Sequence, residues 1–330
     1  MKITLFSATA YDRTFFDLAL KGRSHEIVYT DAKLEAGTVH LADGCAAVCA
    51  FVNDKIDRGC SEALARAGVR LIALRCAGFN NVDLDAAKDF GLSVARVPSY
   101  SPSAIAEHTL GLILCLNRHI HRAYNRTREG NFSLNGLLGF NIQGKTAGIV
   151  GTGKIGSKVA RLLTGFGCRI LAFDPIESPE CLQMGVTYCS KDEILQQSDI
   201  LTLHCPLTPV TANFINADAI SRMKPGAMLV NTSRGAILDT KATIKALKSG
   251  KIGSLAIDVY EQEADMFFHD RSDTIIQDDV LTRLMTFPNV LVTGHQAFLT
   301  REALLEIAET TIATIDAFER NGVLPEAVTI

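Results

Sequence analysis

The stretch from Thr146 to Ser157, Thr146-Ala147-Gly148-Ile149-Val150-Gly151-Thr152-Gly153-Lys154-Ile155-Gly156-Ser157, restricts this chain most. An apolar strand runs directly into Gly-x-Gly-x-x-Gly and then into a helical pattern. Gly151 permits a tight turn, Gly153 lets the backbone approach a pyrophosphate, and Gly156 lets the helix pack close to the sheet. The unpaired N–H groups at the helix start would hold the anion. A second apolar segment, Arg169-Ile170-Leu171-Ala172-Phe173-Asp174, ends in an acid 18 residues beyond Gly156. A carboxylate there can accept both ribose hydroxyls of an adenosine and repel a 2′-phosphate. The combination favours NAD over NADP, and Arg169 at the head of the segment does not reverse that preference.

Short runs rich in Ile, Leu and Val precede helical patterns throughout the chain. The first array has them at 2–6, 26–29, 46–50, 70–74 and 93–97; the second at 146–150, 169–173, 199–203, 227–231, 254–258 and 290–293. Continuous apolar strands separated by helices predict parallel sheets buried on both faces. The dispersed glycines of the first array build no phosphate loop. Pro98-Ser99-Tyr100-Ser101-Pro102 marks a boundary, with Ser101 placed to cap a helix expected over 102 to about 121 that crosses between domains. The helical pattern 301–320 is expected to return to the first array. This predicts an α/β chain of two doubly wound domains with a cleft between them: a discontinuous substrate domain of 1–100 and 297–330, and an NAD-binding domain of 101–296.

Composition narrows the classes of function. With 330 residues, 47% hydrophobic and 21% charged, the chain can build two cores, which excludes disorder, collagen and small disulfide scaffolds. A formal charge of -3 supplies no field for a nucleic-acid backbone, so nucleic acid is not an expected partner. Nine cysteines without a Cys-x-x-Cys pair point to free thiols in a reducing compartment, and the cytoplasm fits. The apolar stretch Leu110–Leu116 is far short of the ~20 residues needed to cross a bilayer, and Ile3–Phe6 reads as a buried strand rather than a signal peptide. No membrane partner is expected. No metal is expected either: His119 and His121 would point away from a common helix face, and Cys45 and Cys49 lack a second pair.

In open α/β sheets the carboxyl ends of the strands face the ligand crevice. Those ends carry Leu203-His204-Cys205-Pro206, Asn231-Thr232-Ser233-Arg234-Gly235, Asp258 with Glu263, and Gly294-His295. His204 either shields the cofactor rings or is an ordinary hydrogen-bonded loop histidine. Arg234 can clamp a carboxylate through its rigid fork. His295 can move a proton near neutral pH, and Glu263 beside it would orient the ring and favour imidazolium. Such a pair suits carbonyl reduction, because hydride arrival leaves an oxygen anion that needs a proton. Asp258 can fix the site electrostatics or contact the nicotinamide edge.

These blocks, with Gly151 to Gly156, Ile257-Asp258-Val259-Tyr260-Glu261 and Gly294-His295-Gln296-Ala297-Phe298, resemble the NAD-dependent D-2-hydroxyacid dehydrogenase family. The resemblance spans nearly the whole chain and is nearest the family's fermentative D-lactate dehydrogenase branch. It implies a Rossmann-type NAD-binding domain, a flavodoxin-like substrate domain and a catalytic group of Arg234, Glu263 and His295. Cofactor contacts are implied for Gly151, Thr152, Gly153, Lys154, Ile155, Gly156, Asp174, His204, Cys205, Pro206, Thr232, Ser233 and Asp258. Ala77 and Gly78 would offer backbone N–H groups to the substrate carboxylate, with Phe51, Tyr100 and Phe298 lining the pocket. Phe51 stands where related enzymes often carry tyrosine. The implied reaction is reversible NADH-dependent reduction of pyruvate to D-lactate, by a homodimer or homotetramer with 117–140 as interface candidate. Two alternatives stay open: a dehydrogenase acting on larger 2-oxo acids, and an NAD-binding regulator similar to dehydrogenase-related corepressors.

Overall fold

The computed structural model describes residues 1–263 and 266–330. The chain divides into two compact units, Met1–Ser101 with Phe298–Ile330, and Pro102–Ala297.

The first unit alternates β1 (Lys2–Leu5), α1 (Ala10–Ala19), β2 (Glu26–Tyr29), β3 (Ala47–Ala50), α2 (Arg58–Arg66), β4 (Leu71–Leu74), α3 (Leu84–Asp89) and β5 (Ser93–Arg96). All pairings are parallel, in the order β2-β1-β3-β4-β5, the flavodoxin-like order. One face of the sheet offers Ile3, Leu5, Ala47, Cys49, Leu71, Ala73 and Ala95, every second residue along each strand. Ala308, Ile312, Ile315 and Phe318 of the last helix (Arg301–Asn321) join that core. Thr300 caps this helix by accepting from Ala303 N–H, and Gly322 ends it at φ 66°.

The second unit holds α4 (Pro102–Asn117), α5 (Ile120–Arg128), β6 (Thr146–Val150), α6 (Lys154–Gly165), β7 (Arg169–Phe173), α7 (Pro179–Gln183), β8 (Thr187–Tyr188), α8 (Lys191–Gln197), β9 (Ile200–Leu203), α9 (Ala217–Arg222), β10 (Ala227–Asn231), α10 (Thr240–Ser249), β11 (Ile252–Ile257), α11 (Asp279–Met285) and β12 (Val290–Val292). Its seven parallel strands run β12-β11-β10-β9-β6-β7-β8, with the order reversing between β6 and β9. Alternate residues serve two cores. Val150, Leu171, Leu201, Leu229 and Leu255 face one; Ile149, Ala172, Ile200, Val230 and Ala256 face the other. Burial on both faces explains why these strands read as unbroken apolar runs.

One expected element differs. The helix predicted over 102 to about 121 stops at Asn117, and α5 begins only after His119 turns left-handed at φ 51°. Asn117 explains the stop: its side-chain amide donates to Phe140 O at 2.7 Å and its carbonyl accepts Phe140 N–H at 3.0 Å, binding it to a distant segment. The apolar pattern continues through Ile120, but Ile120 is 53% exposed. The short β8 was not foreseen; two residues are too few for a periodic signal.

Candidate active site

At the β6–α6 turn the glycines differ in what surrounds them. Gly151 sits at φ +93°, and a Cβ there would lie 2.7 Å from Cys205 N, so this turn packs directly against the loop after β9. A Cβ on Gly156 would meet Gly151 O at 1.9 Å, so the first turn of α6 closes on the strand end only because that atom is missing. Gly153 is the opposite case: a Cβ would meet nothing within 4 Å. It is the N-cap of α6 and has no side-chain cap bond. Among the described residues the N–H groups of Lys154, Ile155 and Gly156 find no protein acceptor. A dinucleotide pyrophosphate fits this cradle, since open space fronts a row of orphan donors at the positive end of a 12-residue helix.

Asp174 stands beside the cradle. Its Oδ2 accepts Thr152 N–H at 2.7 Å and its Oδ1 accepts Ile176 N–H at 2.9 Å, which fixes the carboxylate while leaving further lone pairs. Tyr188 braces the same turn, its hydroxyl donating to Thr152 Oγ1 at 2.9 Å. Two loops close the far side: Ser233 Oγ donates to Cys205 O at 2.5 Å, and Thr232 Oγ1 lies 2.9 Å from Thr109 Oγ1. His204 is a hydrogen-bonded loop histidine, its Nε2 2.9 Å from Thr202 Oγ1, and burial pushes its pKa down to about 3. It is therefore neutral near pH 7.

The residues expected to react follow neighbouring strands. Arg234 follows β10, Asp258 and Glu263 follow β11, and His295 follows β12; these three strands are consecutive at one edge of the sheet. At a spacing of about 4.8 Å per strand, their carboxyl ends span roughly 10 Å. Hydrogen bonds join the ends: Asp258 N–H donates to Asn231 O and His295 N–H to Asp258 O. Gly235 tightens the group further, because a Cβ there would stand 2.1 Å from the carbonyl carbon of Tyr260. The arginine loop thus touches the loop that carries Glu263.

Glu263 divides its two oxygens. Oε2 accepts Tyr260 N–H at 2.8 Å, and Oε1 lies 2.7 Å from His295 Nδ1. A carboxylate at this distance favours the proton on Nδ1 and leaves Nε2 as the nitrogen that can exchange a proton with a ligand. His295 is itself at φ 54°, with Phe268 5.8 Å from its ring centre. Arg234 spends one donor on Ser233 O at 2.7 Å, and no ion-pair partner reaches it among the described residues. A half-buried guanidinium without a counterion can receive a carboxylate.

Asp258 is wholly buried. Burial alone would raise its pKa, but hydrogen bonds from His108, Thr293 and the N–H groups of Ala297 and Gln296 outweigh it and hold the carboxyl below the usual range. Thr293 Oγ1 donates at 2.5 Å, Gln296 N–H and Ala297 N–H at 2.9 Å. These partners fasten both sides of the loop bearing His295. Sequence reasoning missed His108 and Thr293; an isolated His within an apolar helix and a Thr at a strand end carry no signal until the fold joins them to a buried acid.

In the first unit, Phe51, Phe298 and Tyr100 form one aromatic cluster, with ring centres 6.0 Å apart for Phe51–Phe298 and 6.1 Å for Tyr100–Phe298. Phe51 is pinned by its backbone, its N–H donating to Asp54 at 2.6 Å and its carbonyl accepting from Asn81 at 2.9 Å. Buried Arg75 lies 4.7 Å beneath its ring and pairs with Asp12 at 3.0 Å. Ala77 and Gly78 follow in the turn after β4.

A glycine cradle for a dinucleotide beside a Glu-supported histidine and an arginine with no ion-pair partner among the described residues defines an oxidoreductase of the NAD-dependent dehydrogenase class. The comparisons give the particular family. Residues 110–297 match the D-isomer specific 2-hydroxyacid dehydrogenase, NAD binding domain. The D-lactate dehydrogenase of Escherichia coli is 52% identical over 325 residues, covering 98% of this chain and 99% of that one. The apo-structure of an E. coli D-lactate dehydrogenase superimposes with a TM-score of 0.91 at 50% identity, over 98% and 99% of the two chains. A structure described as identifying the pyruvate reductase of Chlamydomonas reinhardtii gives a TM-score of 0.95 at 44% identity, over 99% and 98%. This chain belongs to the D-isomer specific 2-hydroxyacid dehydrogenase family, and its cofactor is NAD.

Proposed function

We propose that the protein is a D-lactate dehydrogenase that reduces pyruvate to D-lactate reversibly. The observation that carries this reading is the meeting, at three consecutive strand ends, of an arginine with no counterion among the described residues and a carboxylate-supported histidine. Similarity to D-lactate dehydrogenases over almost the full chain supports the choice of substrate.

Residues Gly151 to Gly156 and Asp174 hold the cofactor, with the loops at 204–206 and 232–233 closing around it. Hydride for the carbonyl carbon is what bound NADH supplies. Arg234 grips the substrate carboxylate in a bidentate pair and fixes the carbonyl in one orientation. Protonated His295 donates from Nε2 to the carbonyl oxygen as negative charge develops there, and Glu263 stabilises the imidazolium before transfer. In the opposite direction neutral His295 takes the hydroxyl proton. Asp258 acts through the loop it anchors. The unit of 1–101 and 298–330 serves as the substrate domain: Ala77 and Gly78 present N–H groups to the carboxylate, and Phe51, Tyr100 and Phe298 line a pocket for a short side chain. One added methylene changes discrimination by only ~1–3 kcal/mol, so neighbouring 2-oxo acids are weaker substrates rather than excluded ones.

The working form is a homo-oligomer. The segment between α5 and β6 supports this, since it exposes Phe132 at 75%, Leu134 at 82% and Leu138 at 91%, a series costly to leave in water. Among the described residues no helix is long and apolar enough to cross a membrane, and the nine cysteines form no disulfide, which suits a reducing cytoplasm.

Comparing Glu263→Gln with the parent across pH tests the proton assignment. Glutamine cannot stabilise imidazolium as a carboxylate does, so the acid-side advantage of pyruvate reduction should shrink about tenfold. An unchanged pH–rate profile would remove Glu263 from the mechanism.

A further inference from the structure

Three successive carbonyl groups are tied down in the turn after β4. Val97 N–H donates to Cys76 O at 3.2 Å, Arg96 Nη1 donates to Ala77 O at 3.0 Å, and Cys76 Sγ donates to Gly78 O at 3.2 Å. Among the described residues the N–H groups of Ala77 and Gly78 have no protein acceptor. The two halves of this pattern are linked, because a trans peptide points its C=O and N–H in opposite directions and no described peptide is cis. Holding Ala77 O therefore aims Gly78 N–H away from Arg96, and holding Cys76 O aims Ala77 N–H away from Val97.

Arg96 also differs from its neighbour Arg75. Arg75 is neutralised by Asp12 at 3.0 Å, whereas Arg96 has no ion-pair partner among the described residues. The Arg96 guanidinium is steadied over the Phe79 ring at 5.0 Å, and its Nε is buried without a hydrogen-bond partner. A cation on the carbonyl side of a peptide polarises it and strengthens the N–H as a donor. An anion on the N–H side of the turn satisfies these donors, and the charge of Arg96 reaches it through the peptide rather than by contact.

We propose that Arg96 is a positioning residue for the substrate carboxylate, orienting and polarising the Ala77–Gly78 peptide so that its amide, the N–H of Gly78, receives the anion beside the N–H of Ala77. This rests on the reading of that turn as the carboxylate cradle of a 2-oxo acid reductase. Arg96 touches neither substrate nor cofactor in this role.

Steady-state kinetics with pyruvate, fluorescence titration with NADH alone and thermal unfolding test it on Arg96→Met and Arg96→Lys. Arg96→Met should raise the pyruvate KM about tenfold, the loss expected of one charge-assisted hydrogen bond, with kcat and NADH affinity unchanged. Arg96→Lys, which keeps a charge and a donor, should recover most of that affinity. Equal pyruvate KM values in Arg96→Met and the parent would overturn the proposal while leaving the reductase reading intact. So would a parallel loss of kcat, NADH affinity and melting temperature in both variants, which marks a folding contribution. A parent protein that turns over no 2-oxo acid would overturn the reductase reading, and the role of Arg96 with it.

Discussion

The turn from β1 into α1 and the turn from β6 into α6 occupy the same place, first strand to first helix of a parallel sheet, yet they end in opposite ways. In the first unit the helix closes on itself. Thr9 Oγ1 accepts Asp12 N–H at 3.3 Å, and Asp12 Oδ2 accepts Thr9 N–H at 2.9 Å, a reciprocal capping box. Asp12 also holds Arg75. In the second unit the capping position is Gly153, and the donors of the first turn are left over. The same βα unit is structural where its own side chains consume the orphan N–H groups, and can cradle an anion where a glycine leaves them free.

Giving α6 the closure that α1 has should produce the largest effect. In Gly153→Asp a carboxylate occupies the cradle and repels the pyrophosphate, so NADH affinity should fall on the order of 1000-fold, the equivalent of two lost bonds to a charged group. Its melting temperature should hold, because aspartate is a favoured N-cap; an unaltered NADH dissociation constant would make the two turns equivalent. Arg234→Lys separates the cradle from the reacting edge. Charge survives but the fork does not, so kcat/KM for pyruvate should drop on the order of 100-fold with a much smaller change in NADH binding. Equal pyruvate constants would remove the clamp from the account.

Smaller effects lie on the structural side. Thr9→Ala should cost about 1 kcal/mol in urea unfolding and leave NADH affinity untouched; a lost affinity would mean that the β1–α1 turn also serves the cofactor. His204 should make stability fall with acid. Its folded pKa is about 3, below the unfolded value of about 6.5, so its contribution is complete above about pH 6.5 and is lost as pH falls toward 3. His204→Gln should flatten the dependence of unfolding free energy between about pH 6.5 and 5, where carboxylates contribute little.

Much of this was legible in the chain because it depends on local pattern. Strands buried on both faces announce themselves as apolar runs, and the β6–α6 turn needs residues without a Cβ at Gly151 and Gly156, which only glycine supplies. Arg234, Glu263 and His295 were readable as strand-end residues, since parallel strands deliver their carboxyl ends to one edge. Other features depend on partners distant in sequence. Asn117 ends a helix by binding Phe140; His108 and Thr293 matter through Asp258; Arg96 matters through the carbonyl of Ala77. None alters the hydrophobic period of its own element. Each is visible only once tertiary contacts bring a carbonyl or a buried acid beside it.

The most direct measurement is NADH oxidation by the purified protein with pyruvate, 2-oxobutyrate, phenylpyruvate and hydroxypyruvate, followed by chiral analysis of the hydroxy acid formed. NADH should be consumed stoichiometrically, fastest with pyruvate, and D-lactate should be the product. Tight NADH binding without turnover of any of these acids, or L-lactate as the product, would contradict this.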